Sequence, residues 1–117
     1  MEKTMFAETT LSERTHHLGP LEQIPVGEGR TFQVGDLTVS VFRTRTGDVF
    51  ATQAACPHKG GPLADGILGG GKVICPLHAY KFELATGRPV GNDCPALQTY
   101  PVWVTEAGEL LLITEMR

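Results

Sequence analysis

From Arg30 onward, apolar and polar residues alternate in short runs broken by turn residues. Arg30 to Val34 alternates, Gly35-Asp36 turns, and Leu37 to Phe42 (Leu-Thr-Val-Ser-Val-Phe) alternates again. A two-residue period means that one face of each run is apolar, so this pair predicts a hairpin with one buried face. Thr46-Gly47-Asp48 is the next turn and Val49 to Gln53 the next strand. Lys72 to Ile74 and Tyr80 to Leu84 read as two more strands, the second broken by Thr86-Gly87. Tyr100 to Val104 and Leu110 to Ile113 form a last hairpin around Ala107-Gly108. No segment carries a sustained helical period. Strands this short and regular predict an all-β fold, an antiparallel sandwich or barrel. Phe42, Phe50, Phe82 and Trp103 sit in these patterns and are expected in the core.

The N-terminal part differs. Met1 to about His17 shows no apolar period, so residues 1–20 are expected to form a tail or docking arm, with His16 and His17 solvated. Leu21 to Pro25 is a lead-in segment and Gly27-Glu28-Gly29 a turn. Residues 21–117 are then one domain, which suits a chain of 117 residues. With 41% hydrophobic and 20% charged residues, the composition is that of an ordinary soluble globular protein. A net charge of −3 gives no basic footprint, so nucleic acid is not an expected partner. No run approaches the roughly 18 apolar residues of a membrane span. Residues 1–18 hold no apolar export core. The expected location is therefore cytoplasmic, where three cysteines are ligands or free thiols rather than a disulfide framework.

Two loops hold the chemistry. The first reads Cys56-Pro57-His58-Lys59-Gly60-Gly61-Pro62-Leu63, the second Cys75-Pro76-Leu77-His78. Each offers one thiolate and one imidazole, and sixteen residues separate His58 from Cys75. A [2Fe–2S] centre of the Rieske type takes two cysteines on one iron and two histidines on the other. Two thiolates leave the oxidised centre roughly neutral, where four would make it about −2, so an electron is added more easily. Glycines let such loops approach cluster sulfur closely, and the prolines stiffen them. Structural zinc is the competing metal, but zinc fingers usually place two cysteines in one arm and two histidines in the other. Cys94, outside both loops, reads as a half-buried thiol ahead of Pro95. Lys59 is either a docking charge or a solvated loop lysine.

The paired motif, C-P-H-x-G followed by C-P-L-H, resembles the Rieske iron–sulfur family over about Leu21 to Ile113. The resemblance implies a base domain of antiparallel strands and a cluster-binding subdomain at about Ala55 to Gly87. It implies Cys56, His58, Cys75 and His78 as ligands of one [2Fe–2S] cluster, with the imidazoles near the surface as the electron exit. Respiratory members carry a disulfide where this chain has Gly61 and Leu77. They also carry hydroxyl donors to the cluster where it has Tyr80 and Phe82. Fewer hydrogen bonds to sulfur imply a low potential for a Rieske centre, on the order of −150 mV. Exposed imidazole ligands further imply a potential that falls with pH once one deprotonates in the oxidised form.

Within the family, His58 to Leu63, Leu84 to Gly87, and Gly91-Asn92-Asp93-Cys94 leading to Thr99 to Val102 are most similar to the small subunit of assimilatory NAD(P)H nitrite reductase. That likeness implies a large siroheme and flavin subunit as partner and an electron-transfer role in reducing nitrite to ammonium, with no catalytic residue in this chain. The alternatives are a freestanding ferredoxin that serves an aromatic-ring oxygenase and its reductase, and a metal-bearing accessory subunit without turnover.

Overall fold

The computed structural model describes residues 15–57, 60–77 and 79–114. They form eleven strands: β1 Thr15–Pro20, β2 Glu28–Val34, β3 Leu37–Arg43, β4 Val49–Gln53, β5 Ile67–Gly69, β6 Lys72–Ile74, β7 Lys81–Glu83, β8 Pro89–Val90, β9 Thr99–Tyr100, β10 Val102–Val104 and β11 Glu109–Ile113. All strand pairing is antiparallel. Three sheets result, in the orders β2-β3-β4-β9, β1-β11-β10 and β5-β6-β7-β8. The expected all-β architecture is present. β9 and β10 are one stretch of chain interrupted at Pro101, and each pairs in a different sheet. A residue without an N–H cannot continue a ladder, so the strand changes sheets there.

Two cores divide the molecule. Ile24, Val39, Val41 and Ala51 meet Leu110 and Leu112 between the first two sheets. Phe42, Leu63, Val73, Phe82, Leu84 and Leu97 form the second core, against the β5–β8 sheet. β3 serves both. Val39 and Val41 face the first core, while Phe42, on the opposite side of the pleat, enters the second. The expectation of a hairpin with one buried face is corrected here: residues 39–42 are buried on both faces. Gly29 pairs with Phe42, and a Cβ at Gly29 would lie 2.6 Å from the Phe42 ring. The glycine thus leaves the slot that the ring fills, beneath a 3-10 turn at Leu63–Asp65.

The two-sided burial of β3 strands one polar group. The Ser40 hydroxyl is fully buried and has no hydrogen-bond partner among the described residues. An unpaired buried hydroxyl keeps its desolvation penalty without recompense. Ser40→Ala is therefore expected to raise the unfolding free energy by about 1 kcal/mol, measurable by urea denaturation.

Three further expectations need correction. Residues 15–20 are not tail: they form β1, which pairs with β11 along its length. His16 is half-buried with its Nε2 3.2 Å from the Thr114 hydroxyl, while His17 is exposed as expected. Trp103 is not core. It stands on the outer face of β10, 54% exposed, while its neighbour Val102 turns inward. The turn before β2 ends earlier than expected, because Glu28 and Gly29 already pair with Arg43 and Phe42. The expected tail at residues 1–14 lies outside the described residues. Among the described residues, no helix is long and apolar enough to cross a membrane.

Candidate metal centre

The β5–β8 sheet positions both cysteine loops. β5 and β6 join through Gly70-Gly71, both at positive φ (57° and 77°), the geometry of a two-residue hairpin turn. β6 ends at Ile74, and the chain then leaves the sheet at Cys75 and returns to it as β7 at Lys81. The excursion is closed by the Cys75 N–H donating to the Tyr80 carbonyl at 2.8 Å. The first loop is built the same way: the Cys56 N–H donates to the Gly61 carbonyl at 2.8 Å, and the Gly60 N–H to the Cys56 carbonyl at 2.7 Å. Each loop thus starts at a cysteine and closes on itself five residues later.

Cys56 and Cys75, only 2% and 1% exposed, are free thiols at the roots of these loops and belong to the second core. They lie near each other in that core. Burial pushes the Cys75 thiol above its ordinary pKa. The Leu77 backbone N–H opposes that shift, and the neighbouring Cys56 thiol adds to it. A backbone N–H aimed at a cysteine sulfur is the kind of donor that stabilises a metal-bound thiolate. Gly61 permits the close approach. A Cβ there would stand 3.0 Å from both the Cys75 Sγ and the Leu77 Cγ. Gly61 and Leu77 thus face each other across the two loops, and the Leu77 side chain packs where a bridge between them would run. Two buried, uncommitted thiols with an N–H donor and a glycine cradle fit the cysteine side of a [2Fe–2S] cluster. Within the sequence, His58 falls inside the first loop and His78 inside the second. Both, together with Lys59, lie outside the described residues.

Neighbouring residues refine the picture. Phe82 is fully buried in the second core and offers no donor, as expected, and Tyr80 packs half-buried against that core. Cys94 is half-buried at its edge, also as expected. Desolvation raises its thiol pKa, with smaller contributions from Cys56 and Asp93. Sequence reasoning missed how the segment around Cys94 is held. The Asn92 side chain donates to the carbonyls of Lys81 (3.2 Å) and Val90 (3.3 Å) and accepts from the Cys94 N–H (3.0 Å). The Asn-Asp pair, a turn signal, was the available clue. The sheet also runs beyond the expected Gly87 boundary, to Val90.

Ala79, between His78 and Tyr80, has φ of 56°, a left-handed conformation that suits glycine. Ala79→Gly is expected to stabilise the folded chain by up to about 1 kcal/mol, the left-handed strain exceeding the extra chain entropy of glycine. Thermal unfolding of the two proteins side by side measures it.

Comparison with known proteins identifies the domain. The model of the Rieske [2Fe–2S] domain matches residues 15–101. A ferredoxin component of naphthalene 1,2-dioxygenase/salicylate 5-hydroxylase systems from Ralstonia sp is 31% identical over 86 residues, covering 70% of this chain and 79% of that protein. The ferredoxin of carbazole 1,9a-dioxygenase from Nocardioides aromaticivorans IC177 superposes with a TM-score of 0.78 at 27% identity, covering 86% of this chain and 98% of that one. A Mycobacterium tuberculosis protein assigned as an NADH-dependent nitrite reductase small subunit shares the fold at a TM-score of 0.81 and 24% identity, covering 88% of this chain and 96% of that one. By the domain match over most of its length and its likeness to the ferredoxin component, the chain belongs to the Rieske [2Fe–2S] domain family and is an electron-transfer protein.

Proposed function

We propose that Cys56 and Cys75 hold one iron of the [2Fe–2S] cluster, that His58 and His78 hold the other, and that the chain passes single electrons to a larger oxidoreductase. The observation that carries this is the pair of buried thiols near each other at the roots of two self-closed loops. When bound, the cluster supplies reversible one-electron chemistry. The chain's own residues do the rest. The second core walls off the cysteine side, the Leu77 N–H supports Cys75, and the loop closures fix the ligand backbones, which limits rearrangement during transfer.

The partner read first is the large siroheme subunit of assimilatory nitrite reductase. The Lys59-Gly60-Gly61 run and the Gly91-Asn92-Asp93-Cys94 segment support it. The second reading, a freestanding ferredoxin that feeds an aromatic-ring oxygenase, is favoured by the sequence identity to oxygenase ferredoxin components.

The test begins with anaerobic purification, visible absorption, and EPR after dithionite reduction. A red-brown protein with an average g of about 1.9, below that of four-cysteine clusters, supports the site. A colourless, zinc-bearing protein refutes it. Co-purification with a siroheme protein then selects the first partner, and rapid oxidation of the reduced chain by an oxygenase selects the second. Full nitrite reduction by a holoenzyme whose small subunit lacks the ligands would instead leave the accessory role.

A further inference from the structure

A pocket of about 520 Å³ opens beside the first cysteine loop, between Pro57, Tyr80 and residues 91–95. Its far wall is preformed, because three hydrogen bonds fix the Asn92 side chain. Asp93 is the one carboxylate among the described residues that line the pocket. It is exposed and has no ion pair or hydrogen bond through its side chain among the described residues. Pro57, Tyr80 and Pro95 provide apolar surface around it.

We propose that this pocket receives an arginine or lysine side chain of the redox partner, with Asp93 as its counter-charge. The inference rests on the electron-transfer reading above and names what recognises the partner. A long cationic side chain fits the lining. Its alkyl stem covers the proline and tyrosine surfaces while its head reaches a carboxylate, and a guanidinium also stacks on an aromatic face. An acidic side chain would meet Asp93 as a like charge. Position gives the contact its purpose. Pro57 directly follows Cys56, so a partner anchored here is held against the loop that contains His58. Electron transfer weakens steeply with distance, and one ion pair beside the exit sets register while adding little affinity.

The probe is tris(phenanthroline)cobalt(III), a tripositive complex with flat apolar faces, applied to the cluster-loaded protein. Asp93→Asn is compared with wild type and with Asp36→Asn, which makes the same charge change in the β2–β3 turn. Equilibrium dialysis against the oxidised protein, which has no electron to give, reads binding alone. Asp93→Asn is expected to weaken binding about threefold at low salt, the size of one exposed ion pair, and Asp36→Asn is expected to leave it unchanged. At high salt the difference should vanish. Stopped flow then follows the reduced protein as it gives one electron to cobalt(III), forming cobalt(II). Asp93→Asn should slow this step by a similar factor at unchanged midpoint potential, and should not slow oxidation by ferricyanide, an anion. Equal behaviour of the two variants in dialysis and in kinetics overturns the pocket. Absence of a Rieske EPR signal overturns the functional reading instead, and the same dialysis on the protein as purified still judges the pocket.

Discussion

A Cys75→Ala variant is expected to purify colourless and without the Rieske EPR signal, with bound iron below about a tenth of the wild-type content, because a chelated cluster does not survive loss of a thiolate. The variant should nevertheless fold. Cys75 belongs to the second core, whereas the first core, of Ile24, Val39, Val41, Ala51, Leu110 and Leu112, contains no residue of either cysteine loop. Far-UV circular dichroism and iron analysis on the same preparation separate the two effects. Cys94→Ala is the matched control. That thiol lies outside both loops, so its removal should leave the absorption spectrum as it was. Loss of colour in both variants would mean that the site depends on all three cysteines and that the proposed ligand set is wrong.

Replacing Gly87 by alanine should cost the fold heavily. Gly87 has a φ of 81°, and an added Cβ would run into the Leu97 carbonyl. The backbones at these two residues touch because the Leu97 N–H donates to the Gly87 carbonyl at 2.7 Å. The Gly87 N–H in turn donates to the Glu83 carbonyl at 2.8 Å. An alanine must therefore take an unfavourable dihedral and also push residue 97 away, pulling the buried Leu97 side chain out of the second core. Left-handed strain contributes about 1–2 kcal/mol, and a lost buried hydrogen bond with disturbed packing adds about as much again. The expected total is about 3 kcal/mol, read as a drop in the urea midpoint at unchanged slope. A loss below about 1 kcal/mol would mean that the 93–98 segment moves aside freely and is not part of the support for the cysteine loops.

Much of this architecture was legible in the chain. The hairpin of β2 and β3 follows from alternation around Gly35-Asp36, and the cysteine loops follow from their spacing, because both signals are local. What escaped was set by distant partners. β1 contains Thr15, His16 and His17 and shows no apolar stripe, since an edge strand is specified by the ladder it joins, here β11. Trp103 was expected inside from its place in a strand pattern, but of the three residues of β10 only Val102 packs against a core, and Trp103 and Val104 are both exposed. Phe42 was rightly expected inside, but the burial of Ser40 beside it was not, because a serine in an alternating strand marks the polar face until a second layer is known to cover it. The side-chain bonds of Asn92 join residues up to eleven apart, beyond any local pattern.

The two cores share a strand but no residue, and this bears on how such a molecule can be altered. The redox tip hangs from one side of β3, through Phe42 and the layer over it, while the base domain closes on the other side through Val39 and Val41. Retuning is therefore a local operation: between Cys56 and Gly61 and between Cys75 and Tyr80, positions other than the ligands and Gly61 can be altered for another potential or another client with the first core left as it stands. The exception is residues 39–42, where a single replacement is felt by both halves at once. They form the seam between the foundation and the head that it carries.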